Sequence, residues 1–137
     1  MRARTNQLIR YAAVAAASGT ALLYLLIGLG VLFVGDPAGG GDRDLLSFGL
    51  MTGAVFVLVA VVLALVARRL VWIPVALLTF VVIVAYFTMA EVRDPPFAFW
   101  GLAVKAVQLV LLGTVAFLAV RGWDGPARVG TTARPAP

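Results

Sequence analysis

The chain contains neither cysteine nor histidine. Their absence excludes disulfide bonds, thiol redox chemistry, zinc sites of the usual type and histidine-ligated haem. Charge is also scarce, since only 12% of the residues are Asp, Glu, Lys or Arg, about half of what a soluble domain carries. The sequence therefore predicts no metal site and no cofactor, and its low charge argues against a soluble protein.

Hydrophobic residues make up 63% of the chain and gather into four long runs. These runs cover roughly residues 11–34, 47–67, 70–90 and 97–120. At about 1.5 Å per residue, a helix of about 20 apolar residues crosses a hydrocarbon core of about 30 Å. A β-barrel would need shorter, alternating strands. The predicted fold class is an all-α membrane protein, an antiparallel up-down bundle of four transmembrane helices.

The connections between the runs are short, so helices that are adjacent in sequence are expected to pack antiparallel. Arg68 and Arg69 form the whole connection between the second and third runs, which predicts a tight hairpin. The four spans form one predicted domain, residues 1–121. Residues 122–137 have little to bury and are predicted to form a disordered cytoplasmic tail.

Two local patterns predict where the helices meet the membrane surface. Trp72, Trp100 and Trp123 fall at the ends of apolar runs, as an interfacial aromatic belt predicts. Asp94 followed by Pro95 predicts the start of the fourth helix, because aspartate caps free backbone amides and proline fits the first turn.

Basic residues are concentrated on one side of the predicted spans. Eight lie before the first run, between the second and third, or after the fourth: Arg2, Arg4, Arg10, Arg68, Arg69, Arg121, Arg128 and Arg134. The other two connections hold only Arg43 and Arg93, together with most of the acidic residues. The positive-inside rule then predicts a multi-pass protein of the cytoplasmic membrane with both termini in the cytoplasm. The net charge of +5 reflects this topology and contact with anionic lipid headgroups, not nucleic acid.

Small residues recur along the second run. Gly49, Gly53, Ala60 and Ala64 fall on one stripe, and such stripes let a neighbouring helix approach closely. We expect this stripe to pack against the first helix of the same chain. The alternative is a dimerisation face for a second copy.

Lys105 is the only formal charge clearly inside a predicted span, and Gln108 follows on the same helical face. One interpretation is that the lysine snorkels to the outer interface. The other is that it points into the bundle and meets Tyr86 or a carboxylate of Glu91 or Asp94. An ionisable group costs at least about 2.5 kcal/mol at the bilayer centre and therefore raises a functional hypothesis. The candidate intramembrane polar site comprises Lys105, Gln108, Tyr86, Glu91 and Asp94.

Three further polar side chains within the runs carry less weight. Tyr24, Thr79 and Thr88 are scattered along the first and third runs. Hydrogen bonds between membrane helices contribute only about 0.6 kcal/mol on average. We therefore interpret these residues as packing contacts and not as ligands.

No catalytic constellation is visible, so we expect no enzyme. The chain has no histidine, no carboxylate pair within the spans and no phosphate-binding glycine motif with a lysine. Small multidrug transporters depend on a glutamate in the first helix, which has no acidic residue here, and the asparagine and phenylalanine signature of fluoride channels is missing. In helix count and Ala-, Val-, Gly- and Arg-rich composition, the chain resembles uncharacterised small four-helix membrane proteins of high-GC bacteria. That resemblance covers the spans and outer loops and implies no activity.

Two function classes follow from these patterns. The first, which the sequence favours, is a non-enzymatic accessory or scaffold that lies in the lipid bilayer and packs against a membrane-protein partner or a second copy. The alternative is a small dimeric transporter or channel that uses Lys105 for an anion or a lipid headgroup. A cavity reaching Lys105 would favour the transporter or channel, and tight packing with an exposed apolar face would favour the scaffold.

Overall fold

The computed structural model describes residues 2–32, 34, 36–37, 42–66, 68–89, 93–94 and 97–121. These residues form four long helices and two very short strands. In chain order they are α1 (Arg2–Gly28), β1 (Asp36–Pro37), α2 (Asp42–Leu65), α3 (Arg69–Met89), β2 (Arg93–Asp94) and α4 (Phe99–Arg121). The predicted tail, 122–137, lies outside the described residues.

All four helices are long and apolar enough to cross a membrane. The candidate spans are Arg4–Gly28, Leu46–Leu65, Leu70–Thr88 and Phe99–Arg121. The predicted fold class is confirmed, because the described chain is a bundle of long apolar helices that make up candidate membrane spans. The bundle is held together by buried apolar side chains from every helix.

A glycine cap ends α1 before the first apolar run is complete. Gly30 has a φ of 72°, a left-handed conformation that costs glycine little. Its N–H donates to the carbonyl of Ile27 at 3.0 Å, and the N–H of Val31 donates to that of Leu26 at 2.9 Å. This pair of bonds is a Schellman motif. Beyond the cap, Val34 is buried against the core.

The helices pack in the order α2, α1, α4, α3. Helix α1 contacts both α2 and α4 extensively, and α3 packs against α4. Helices α2 and α3 barely touch, so the tight hairpin expected from Arg68 and Arg69 is wrong. Their connection is short, but each helix packs on a different central helix, which separates the two along their length.

Glycines set the close approach of α1 and α2. A Cβ added at Gly28 would lie 2.9 Å from the Cα of Gly49, closer than real Cβ atoms come. A Cβ added at Gly53 would lie 2.9 Å from the side chain of Leu25. Of the other two stripe residues, Ala60 is buried, whereas Ala64 is exposed. The two glycines of the stripe therefore lie in the α1–α2 contact, as expected, whereas the side chain of Ala64 does not point into the bundle.

Arg10 joins the opposite end of the same helix pair. Its Nε donates to the carbonyl oxygen of Leu63 at 2.8 Å, and its Nη2 donates to that of Ala64. Carbonyls in the last turn of a helix have no partner within the helix, and a cation there also suits the helix dipole. Arg10 thus caps α2 from α1.

The connections at the other end are joined by β1 and β2. Their antiparallel pairing sets Asp36 opposite Asp94 and Pro37 opposite Arg93. The strand at Asp94 means that the expected helix start there is wrong, since α4 begins at Phe99. The pairing places both connections on one side of the bundle.

The tryptophans do not form the expected belt throughout. Trp72 is fully buried in the core, whereas Trp100 is 38% exposed. Trp123 lies outside the described residues. Trp72 therefore fills space between helices and does not present its ring to lipid as a belt residue would.

Candidate functional site

The site begins with the buried faces of α1 and α4. The buried residues of α4 recur at intervals of three and four: Gly101, Val104, Lys105, Gln108, Leu111, Val115 and Leu118. This spacing defines one helical face, and it carries a lysine and a glutamine into the core. Tyr24 lies on the corresponding buried face of α1.

The ammonium of Lys105 lies inside the bundle. The residue is only 4% exposed. Its Nζ donates to the hydroxyl oxygen of Tyr24 at 2.9 Å and to Oε1 of Gln108 at 2.6 Å. Nε2 of the fully buried Gln108 points to the same Tyr24 hydroxyl at 3.4 Å. The three side chains therefore form one hydrogen-bonded cluster that links α1 to α4.

Two tyrosine rings flank the ammonium. Nζ of Lys105 lies 4.8 Å from the centroid of the Tyr86 ring and 5.5 Å from that of Tyr24. Both distances are within the range of cation–π attraction, which is worth up to about 2 kcal/mol in desolvated sites. Tyr86 reaches this position because Gly101 has no side chain, and a Cβ there would lie 3.0 Å from Cζ of the ring.

Helix α2 positions Tyr24 through two phenylalanines. The ring of Tyr24 stacks on Phe56 with centroids 5.9 Å apart and meets Phe48 edge-on at 6.0 Å. Phe56 is fully buried. Residues from three helices thus hold the Tyr24 hydroxyl against Lys105, and α3 adds Tyr86.

A cavity of about 160 Å³ lies beside this cluster. All four helices and Val34 contribute to its wall: Tyr24, Ile27, Val34, Phe48, Thr52, Val82, Ala85, Tyr86, Gly101, Val104 and Lys105. Most of these side chains are apolar, and Lys105 is the one cation among them. The cavity is thus an apolar space with a positive charge in its wall.

The structure brings together three of the five residues predicted for the polar site. Lys105, Gln108 and Tyr86 lie within the cluster described above. Glu91 lies outside the described residues, and only the backbone of Asp94 is described, in β2. The lysine is buried, not turned to the lipid surface.

Tyr24 and Gly101 were not among the predicted site residues. A sequence signal for Tyr24 does exist, since it continues a buried face of small residues that includes Ala13, Ala17 and Ala21. No local signal marks Gly101, because its role depends on a tyrosine from another helix. The threonines bond within their own helix and not between helices: Thr79 donates to the carbonyl of Val75 at 2.8 Å, and Thr88 donates to that of Ala85 at 3.0 Å.

The cluster places a cation beside the cavity. Lys105 supplies a cation with three N–H donors, and Tyr24 and Gln108 accept from it. In the part of the chain that the structure describes, no group of three or more Asp, Glu, His or Cys comes together. The arrangement can attract negative charge to the cavity.

Comparisons with protein-family models, with curated proteins and with solved structures each give no match. Any inference about function therefore rests on the geometry of the site. By the length and composition of its helices, the chain is a candidate four-span integral membrane protein.

Proposed function

We propose that this chain is a small membrane transporter or channel, not an enzyme, and that the cavity at Lys105 is its binding site for an anionic group. One observation carries the proposal. A cavity formed by residues of all four helices has the buried ammonium of Lys105 in its wall. A mostly apolar cavity with one charged group held in place is the usual form of a small-ligand site.

Electrostatics support an anionic occupant. Two unit charges 4 Å apart attract by about 4 kcal/mol at an effective dielectric constant of about 20. Water contributes less screening inside a bundle than at a surface, so the Lys105 charge acts strongly on whatever enters the cavity. At about 30 Å³ per water molecule, the volume of about 160 Å³ accommodates roughly five waters or one small anionic group.

The scaffold remains a second candidate because of the exposed face of α3. Only 22% of its span Leu70–Thr88 is buried, and α3 packs mainly against α4. A membrane-protein partner or a second copy could cover this face, but lipid covers it equally well. The cavity has no comparable explanation in a scaffold, so binding is the better supported function.

The test measures thermal unfolding in an uncharged maltoside detergent. Inorganic phosphate and dodecyl phosphate are added separately at constant ionic strength. We expect at least one of them to raise the unfolding temperature of the parent protein and to have a much smaller effect on Lys105→Met. Lys105→Arg should keep most of the shift, because it keeps the positive charge.

The matched control is Arg4→Met, which removes the same charge from an exposed position. It should leave the shift unchanged. The compared quantity is the shift caused by the anion, so a lower starting stability of Lys105→Met does not affect the result. Equal shifts in the parent and Lys105→Met, for both anions, would rule out the proposed function.

A further inference from the structure

We infer that the anionic group belongs to a membrane lipid, which reaches Lys105 sideways through the seam between α2 and α3. This inference rests on the proposed function and names the class of its ligand. The occupant is an amphiphile with an anionic head and an acyl chain. The head lies at Lys105, and the chain leads through the seam into the bilayer.

The seam follows from the packing order of the helices. Helix α1 contacts α2 and α4, and α4 contacts α1 and α3, but α2 and α3 barely touch. Both sides of the seam nevertheless contribute to the cavity wall, α2 through Phe48 and Thr52 and α3 through Val82 and Ala85. Among the described residues, the cavity therefore lies between α2 and α3, the neighbouring helices that barely touch, and in a bilayer this seam would face lipid.

The wall of the cavity is amphipathic, as such a ligand requires. The polar part consists of Lys105, Tyr24 and Tyr86, whose contacts gather at the ammonium. The apolar part consists of Ile27, Val34, Phe48, Val82, Ala85 and Val104. A hydrated inorganic anion gains nothing from this second surface, whereas an acyl chain gains by burial there.

The volume of the cavity and the depth of Lys105 along α4 agree with a lipid that is only partly enclosed. The volume of about 160 Å³ is smaller than the ~300 Å³ at which drug-sized pockets begin, so most of a lipid chain must remain outside. Lys105 lies about 9 Å along α4 from Phe99, at about 1.5 Å per residue. A lipid head from the near leaflet thus moves inward by less than two helical turns.

The experiment compares three probes in an uncharged maltoside detergent. Dodecyl phosphate carries both the anionic head and the chain, dodecylphosphocholine has the chain with a zwitterionic head, and inorganic phosphate has the head alone. We expect dodecyl phosphate to raise the unfolding temperature most. Its half-maximal concentration should be at least about tenfold below that of inorganic phosphate, as burial of two methylene groups predicts.

A variant at the seam tests whether the bound acyl chain lies there. Ala85→Phe places a large side chain in the cavity wall without changing any charge, and it should weaken the dodecyl phosphate effect about tenfold or more. The control is Ala106→Phe, the same change at an exposed position of α4, which should keep the effect. Thr52→Leu narrows the same seam from α2 and serves if Ala85→Phe does not fold.

The outcomes separate this inference from the proposed function. If inorganic phosphate stabilises the parent as well as dodecyl phosphate does, the lipid inference fails and the anion site remains. If neither stabilises it, both fail. An equal effect of dodecylphosphocholine would show that the head is not recognised. An unchanged effect in a folded Ala85→Phe or Thr52→Leu variant would overturn the placement of the acyl chain in the seam.

Discussion

The hydroxyl of Tyr24 connects α1 to the polar cluster of α4. It accepts a hydrogen bond from Lys105 at 2.9 Å and lies 3.4 Å from Nε2 of Gln108. All three residues are buried. Hydrogen bonds to charged groups contribute about 1.5–3 kcal/mol in soluble proteins, whereas the average between membrane helices is about 0.6 kcal/mol. The charge on Lys105 places this contact above the membrane average.

Tyr24→Phe removes this hydroxyl and keeps the ring that stacks on Phe56. We expect the free energy of unfolding, measured by titration with sodium dodecyl sulfate in mixed micelles, to fall by about 1–2 kcal/mol. Tyr11→Phe is the control, because Tyr11 is 60% exposed and its hydroxyl accepts a hydrogen bond from Gln7 of the same helix. Equal effects of the two changes would show that the cluster adds nothing to stability.

At the scale of helices, backbone contact between α1 and α2 determines the shape of the bundle. Gly28 and Gly49 face each other so closely that neither position has room for a Cβ. Close approach of this kind gains van der Waals contact, which drives helix association in lipid. It also holds α2 beside α1, the helix on which α2 packs most extensively.

Gly49→Ala should therefore destabilise the fold, although alanine is the better helix former. Its Cβ would lie 2.6 Å from the backbone nitrogen of Gly28, and overpacking costs about 1–3 kcal/mol. Gly113→Ala is the matched control, since a Cβ there meets nothing within 4 Å, and it should be neutral or stabilising by up to about 1 kcal/mol. Unfolding in sodium dodecyl sulfate measures both.

The free energy of unfolding of Gly53→Ala should lie between those of Gly49→Ala and Gly113→Ala. Its Cβ would meet the side chain of Leu25 at 2.9 Å, and a flexible side chain can move where a backbone cannot. If Gly49→Ala is as stable as Gly113→Ala, the close approach of the backbones does not hold α1 and α2 together.

At the scale of the whole molecule, the structure relates the two ends of the bundle to each other. The pairing of β1 with β2 places the α1–α2 and α3–α4 connections on one side. Arg10 near the start of α1 contacts the end of α2, which places the α2–α3 connection at the other end. Which side faces the cytoplasm follows only from charge, through the eight-to-two division of arginines.

We predict cytoplasmic N- and C-termini on that basis. The chain has no cysteine, so a single introduced cysteine can be labelled without interference from native thiols. A cysteine replacing Ser47 should react with a membrane-impermeant maleimide added to intact cells, and one replacing Thr131 should react only after the cells are opened. The reverse pattern would show that the orientation is inverted.

The sequence by itself determined the fold class and the unusual residues. Four apolar runs of sufficient length admit only membrane helices, because backbone groups in lipid must be satisfied within the segment. A lysine within such a run stands out for the same reason, since its burial is costly. Local patterns of this kind depend on the residues of one segment and its solvent, so they can be read without the tertiary structure.

Only the tertiary structure decided where that lysine points and what surrounds it. The tight link at Arg68 favoured packing of α2 on α3, yet α2 packs on α1, where glycines allow close contact, and α3 packs on α4, where Gly101 leaves space for Tyr86. Tyr24 and Lys105 are 81 residues apart in sequence, and no pattern within either helix specifies their contact. The cavity and its seam depend on which helices pack against which. That is a property of the whole bundle, and no single segment specifies it.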